Sequence, residues 1–342
     1  MAQTEITAPV SIFDDVGKLC NFGWARGPFF HYDRNLLWTP ARSITETERY
    51  IIFSPTHLFA FELYDAGIFG HISICAVSLL DKTISSKFEK LPFPMGILEL
   101  PNQSEDTVIK KVVKGSLMEF ICIENGGRII KIDSPHLTHN NRLRGEVVLI
   151  AQEEAQSIST HSQWRRQKER FQLIRCSPCY TVEGVMQFEN KPHLFNKGRA
   201  WGIYEWIRNV RPKKDIHYWA SACGMHKGRQ IGFNVGYGSA DSSAGTENAF
   251  FVNGVLHKLD QVTFKISPSN WLEPWHFTSN NERLEMNFVP IQRNFYQNNF
   301  LFYSLRVRQF FGFFSGRVVL DDGVAINFNN ITGFAERRKT NN

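Results

Sequence analysis

The stretch Glu247–Lys258, ENAFFVNGVLHK, decides the fold when it is read with Phe311–Ile326, FGFFSGRVVLDDGVAI. Each sets a turn dipeptide, Asn253-Gly254 or Asp322-Gly323, between short runs rich in Phe, Val and Leu. Asn-Gly and Asp-Gly accept the positive φ that two-residue hairpins require, so both stretches predict antiparallel hairpins. Glu124-Asn125-Gly126-Gly127-Arg128 predicts another such turn. Outward from these turns, strand-like runs recur at short spacing from Arg49–Phe53 to Val324–Phe328, with almost no long amphipathic helical pattern. That spacing predicts an all-β chain of sandwiches or barrels.

A chain of 342 residues suits two domains. Glu153–Lys168 is polar, charged and poor in β-formers, which predicts a linker or single helix at the centre. The expected halves are residues 1–165 and 166–342, each long enough for one antiparallel β-barrel, with no strict sequence repeat between them. Aromatic residues make up 13% of the chain. They carry two readings: rings packed on pleated sheet faces, or the lining of a cavity for a large apolar ligand.

The net charge of +6 is spread thinly. Its dense runs, Arg165-Arg166-x-Lys168-x-Arg170 and Arg337-Arg338-Lys339, read as a linker cap and a solvated tail, which argues against a nucleic-acid partner. The N-terminus MAQTEITAPVSIFDD has no basic or apolar signal region, and no run approaches the ~18 apolar residues of a membrane-spanning helix. Six scattered cysteines without an export signal point to the reducing cytoplasm. Cys176-Ser-Pro-Cys179 has C-x-x-C spacing, but no second pair completes a zinc site and the context is strand-like. The two are expected to be structural, neither metal ligands nor an exposed redox pair. His136 and His139 lie beside Pro135 in a predicted loop and do not form a convincing metal pair, so no metal is expected.

No nucleophile elbow, P-loop, H-E-x-x-H or dinucleotide fingerprint is present, so no cofactor is expected. Gly232, Gly236 and Gly238 lie in a strand-like segment with no following helix, and read as places where a strand bends or backbones approach. The informative polar groups are embedded among aromatics: Tyr204-Glu205-Trp206-Ile207-Arg208, then His217-Tyr218-Trp219. In a strand, Tyr204, Trp206 and Arg208 share one face and Glu205 takes the other. A buried Glu205 must be either an ion pair, with Arg208 or Arg283, or a protonated acid in an apolar cavity. The second form is what alkene protonation or hydration needs. The candidate site is therefore Glu205 as acid, with Tyr204, Trp206, Arg208, Trp219, Glu247 and Arg283 around a ligand in the second half. The faces of Trp206 and Trp219 would stabilise a developing cation.

An ordered set of strings carries a family resemblance: GKLCNFGWARGPFF (Gly17–Phe30), EWIRNVRP (Glu205–Pro212), YWASACG (Tyr218–Gly224), FNVGYGS (Phe233–Ser239), ENAFFVNGVLHKL, EPWHFTS (Glu273–Ser279), RLEMNFVPIQR (Arg283–Arg293), RQFFGFFSG (Arg308–Gly316) and GFAE (Gly333–Glu336). Together they resemble a bacterial double-lipocalin family of unassigned function, distantly similar to carotenoid 1,2-hydratases and lipocalin-like cyclases. The resemblance covers nearly the whole chain and implies two consecutive lipocalin-like antiparallel β-barrels with aromatic-lined interiors. It carries over no proven catalytic residue. Glu205 stands where an aspartate is usual in a D-W-G-R-G type string, with Ile207 and Asn209 in place of two glycines, and Arg308 stands where a histidine is common.

Three functions compete. A binding module would hold a lipid or isoprenoid in an aromatic-lined barrel, the partner being a hydrophobic small molecule. A cofactor-independent hydratase, isomerase or cyclase would act on a hydrophobic polyene through acid catalysis. A non-catalytic scaffold would have barrels packed solid with side chains.

Overall fold

The computed structural model describes residues 3–138, 141–301 and 303–341. Apart from four one-turn 3-10 helices, the regular structure of the described residues is β-strand. Ten strands of the first sheet lie side by side in the order Thr83–Pro92, Phe69–Ser78, His57–Asp65, Ile44–Phe53, Trp201–Val210, Gln167–Phe188, Asn141–Ile150, Arg128–Thr138, Ser116–Cys122 and Val108–Val113. They curl into a nearly closed barrel. The second sheet runs Val255–Lys258, Ala249–Val252, Arg229–Gly238, Lys214–His226, Ala325–Asn341, Tyr303–Val319, Leu284–Phe300, Trp275–Ser279 and Val262–Lys265, and forms a half-barrel. Neighbouring strands within both series pair antiparallel, so the chain is two consecutive antiparallel barrels, as the turn spacing predicts.

The hairpins divide into two kinds. Asn253 (φ 48°) and Gly254 (φ 83°) make the two-residue turn, with Val252 opposite Val255. At Asp322-Gly323 only the glycine takes positive φ. Gly323 N donates to Leu320 O (3.1 Å), while Val324 N donates to Asp322 Oδ1 (3.0 Å). The connection is therefore a three-residue loop ending in a left-handed glycine, because the aspartate side chain stabilises the right-handed turn before it.

The sheets change between Val210 and Lys214, and the Gln167–Phe188 and Trp201–Val210 strands, both beyond residue 165, belong to the first sheet. The expected central linker or helix is corrected: Ile158–Trp164 is a strand, hydrogen-bonded to Gln167–Phe188 on one side and to Gly23–Ala25 on the other. Its polar residues are buried at the junction, with His161 fully enclosed, while its backbone is paired on both edges. The basic tail is corrected likewise, since Arg337, Arg338 and Lys339 lie within the Ala325–Asn341 strand, paired on both edges.

Where the barrels meet, strands are buried on both faces. All ten residues of Ile44–Phe53 (ITETERYIIF) and all ten of Trp201–Val210 are buried. Tyr50, Ile52, Tyr204 and Trp206 point into the first barrel with Phe59, Phe61 and Phe120. Ile51, Phe53 and Ile203 point instead into a seam between the barrels, against Trp219, Cys223, Phe311 and Phe334. The second barrel is filled by its own rings, with Phe288 and Phe314 stacked at 4.3 Å and Phe264 and Phe277 at 4.3 Å. Burial of each such ring is worth roughly 1.5–3 kcal/mol. Cys176 and Cys179 are buried in the seam, where burial pushes both thiols well above the ordinary range. Among the described residues, no group of three His, Cys, Asp or Glu is placed to hold a metal. His139 lies outside the described residues.

Candidate functional site

The seam carries charge as well as rings. Arg49, projecting from Ile44–Phe53 away from the first barrel's core, donates through Nε to Glu205 Oε2. Its Nη1 donates to Glu336 Oε2 of the second barrel (2.7 Å). Its guanidinium sits over Trp219 (4.6 Å) and Phe334 (4.9 Å). Arg338 donates to Glu62 Oε2 (2.6 Å) and to Glu336 Oε1 (3.3 Å). His71 Nε2 meets Glu62 Oε1 at 2.6 Å, and Gln309 Nε2 donates to Glu336 Oε2 (2.9 Å). Three carboxylates thus share two guanidiniums in a region closed to water, where unpaired charge is costly. Burial raises the Glu205 pKa, and the opposing pull of Arg49 does not cancel it, since Glu336 and Glu247 add to the rise. Glu62 is held well below the ordinary carboxylate range: burial opposes this, but Arg338, His71 and Arg49 prevail.

Trp219 leads from this network to a cleft. Its Nε1 donates to Glu205 Oε1 (3.2 Å), and its ring lies 4.8 Å from that of His217, two residues earlier on the same face of Lys214–His226. His217 Nε2 meets Glu247 Oε1 at 2.6 Å. The pair lines a cleft of about 310 Å³ between the barrels, whose other wall includes Thr160, Ser162 and Gln172 of the first sheet. Burial disfavours the charged imidazole, but the Glu247 carboxylate outweighs it, and the His217 pKa is raised above its usual 6.5. Glu247 reaches this position from the loop before Ala249–Val252. That loop is tied down by Lys258 Nζ, which donates to Thr246 Oγ1 (2.8 Å) and Asn248 O (2.9 Å).

The glycines at 236 and 238 make room for the dyad. A Cβ at Gly236 would stand 2.0 Å from Glu247 Oε1, and one at Gly238 would stand 2.9 Å from His217 Cδ2. Both lie on the seam face of Arg229–Gly238, opposite Trp219 and His217 in register. Gly236→Ala is therefore expected to push the Glu247 carboxylate away from His217. The His217 pKa, read by NMR titration of the imidazole, should fall while the circular dichroism of the sheet is unchanged. An unshifted titration in the folded variant would show that the carboxylate does not need that space.

The sequence-derived residues separate into three places. Glu205 and Trp219 touch in the seam, and Glu247 lies one residue pair further along, at the cleft. Tyr204, Trp206 and Arg208 point into the first barrel, where Arg208 lies over Trp206 (4.4 Å) and donates to Glu48 Oε1 (2.9 Å). Arg283 lies outside both the seam and the cleft lining, donating to Asp321 Oδ1 (2.6 Å) and to the backbone of Lys258 (2.9 Å), the residue that ties down the Glu247 loop. The partner of Glu205 is Arg49, from a strand 156 residues away, not Arg208 or Arg283. Sequence reasoning missed His217 as a site residue and Arg49 altogether. The only local signal was the alternate spacing of Gly236 and Gly238, which leaves one strand face bare.

Among curated proteins none matches the chain. Solved structures to which it is similar include CghA, at 8% identity, 88% of each chain covered and a TM-score of 0.44. They also include kievitone hydratase from Nectria haematococca, at 8% identity over 86% of this chain and 88% of that one, with a TM-score of 0.46. The family model that matches covers residues 3–341, nearly the span of the ordered strings quoted above, and the chain belongs to that family, described as a domain of unknown function, DUF2804.

Proposed function

We propose that the cleft between the barrels binds a hydrophobic small molecule and that His217, partnered by Glu247, moves a proton on it. One observation carries this reading: a buried imidazole and carboxylate 2.6 Å apart line a cleft of about 310 Å³. Against the effect of burial, the Glu247 carboxylate raises the His217 pKa and so favours the protonated imidazole, the form that donates. Trp219, outside the cleft lining, packs against the His217 ring at 4.8 Å and holds the imidazole in place. Glu205 and Arg49 hold the Trp219 ring from behind and line neither side of the cleft, so they act as positioning residues. Thr160, Ser162 and Gln172 opposite the dyad suit a ligand with at least one hydroxyl or carbonyl group on an otherwise apolar body. The reaction class is protonation of an unsaturated carbon by the imidazolium. The resulting cation is then captured by water, which gives up a proton (hydration), or loses a different proton (isomerisation), or is attacked by an internal double bond to close a ring, the new cation then losing a proton (cyclisation).

The test is incubation with isoprenoid and polyene extracts in D2O, followed by mass spectrometry. Each turnover of any of these three kinds places deuterium on carbon, so the product need not be known beforehand. Deuterium incorporation lost in His217→Asn is the expected result. Saturable ligand binding without incorporation would favour the plain binding module, and neither result would favour the scaffold. Among the described residues no helix is long and apolar enough to cross a membrane, and all six cysteines are unbridged, which supports the reading of a reducing compartment.

A further inference from the structure

The open mouth of the second barrel carries charge that no acidic side chain answers among the described residues. On the barrel-facing side of three adjacent strands, Phe295 stands opposite Arg308, and Arg308 stands opposite Arg337. One pair further out on the same face, Arg306 stands opposite Lys339. Like charges directly across an antiparallel pair cost stability. Among the described residues Arg293, Arg308 and Arg337 form no ion pair, and the Arg337 Nε is buried without a hydrogen-bond partner. The opposite face of the same strand shows the contrast, because Arg338 there meets both Glu62 and Glu336.

These cations surround an aromatic floor. The Arg308 guanidinium lies 4.8 Å from the Trp271 ring centre and that of Arg337 5.8 Å from it, with Tyr218 5.5 Å from Arg337. Phe310 packs on Trp271 at 5.9 Å, and Phe295 is 52% exposed at the rim. Trp271, Phe295, Arg308 and Phe310, together with Arg293 and Asn294, line a cleft of about 420 Å³ whose lining contains no acidic residue, and Arg337 stands next to Arg308 outside that lining. Stacking on Trp271 steadies two guanidiniums but does not neutralise them.

We propose that this mouth is a second binding site, distinct from the cleft between the barrels, for an organic anion with a planar apolar body. The anionic head is held by the forks of Arg308 and Arg293, the two arginines of the lining, with Arg337 adding positive charge from the neighbouring strand, and the body lies against Trp271, Phe295 and Phe310. Carboxylate and phosphate both match the guanidinium fork, so the shared chemistry is a planar or tetrahedral oxyanion on an aromatic frame.

Three probes of one frame separate the possibilities: 1-naphthoate, 1-naphthyl phosphate and neutral 1-naphthamide, each titrated calorimetrically at low salt into the full-length protein. One or both anions bind saturably and the amide at least tenfold more weakly, and the stronger anion identifies the head group. Arg308→Gln combined with Arg293→Gln weakens the anions at least tenfold and leaves the amide unchanged. The same double variant has an unchanged or higher Tm, because a like-charge pair is removed. His217→Asn leaves anion binding intact, which separates this site from the cleft between the barrels. Equal binding of anions and amide, binding that survives the double arginine variant, loss of binding in His217→Asn, or no saturable binding of either anion would each overturn the proposal.

Discussion

Arg49→Met is expected to lower the stability of the protein by about 3–5 kcal/mol, the range for removing one partner from a buried ion pair. The guanidinium is the hub joining Glu205 of the first barrel to Glu336 of the second, and it faces Glu62 at 3.8 Å. Its loss leaves three buried carboxylates with Arg338 as their remaining buried arginine. The penalty carries a pH signature. Burial already raises the Glu205 pKa in the native protein, and without Arg49 the rise is larger. A carboxyl whose folded pKa exceeds its unfolded value of about 4.3 takes up a proton on folding, so stability in the variant falls as pH rises through that interval. Glu62 works in the opposite sense in the native protein: its lowered pKa contributes stability above the unfolded value, and that contribution is lost as pH falls. Urea denaturation of both proteins between pH 4 and 8 reads the difference, which should be largest at the alkaline end. A loss below about 1 kcal/mol at pH 8 would show that the hub is solvated and that rings alone hold the barrels together.

The second large effect is at the dyad. His217→Asn and Glu247→Gln should each reduce deuterium incorporation by about 10²–10⁴-fold, the usual contribution of a positioned acid or base. The two act as a unit, so the double variant should lose little more than either single one. Their stability effects differ with pH. His217 has a raised folded pKa, so its pairing with Glu247 contributes fully below the unfolded value of about 6.5 and is lost as pH rises through the folded value. Glu247→Gln removes the largest opposing carboxylate, so burial weighs more and the His217 pKa falls. The stability gap between native protein and Glu247→Gln should therefore be widest near pH 6 and close toward pH 9. A gap that is constant with pH would mean that the imidazole does not titrate against Glu247.

The fold class, the hairpins and the family were legible in the chain because they rest on local signals: positive-φ dipeptides at 253–254, a glycine at 323, and short β-rich runs. The faces of Tyr204-Glu205-Trp206-Ile207-Arg208 were legible too, since strand alternation is local. Which solvent or side chains each face meets was not. The run Thr45–Arg49 is polar at every position and carries no local mark of burial, yet all of it is buried, because a second sheet covers what the first would expose. The same cover turned Ile158–Trp164 from an expected linker into a strand and split the candidate residues among a barrel interior, a seam with its cleft, and the support of the Glu247 loop. Sequence by itself determined the elements and the turns that join them, for these depend on neighbours within a few residues. Only the tertiary structure decided that Arg49 meets Glu205 and that His217 meets Glu247 beside two glycines. Such contacts depend on how two finished sheets pack, and each partner carries no local mark of the other.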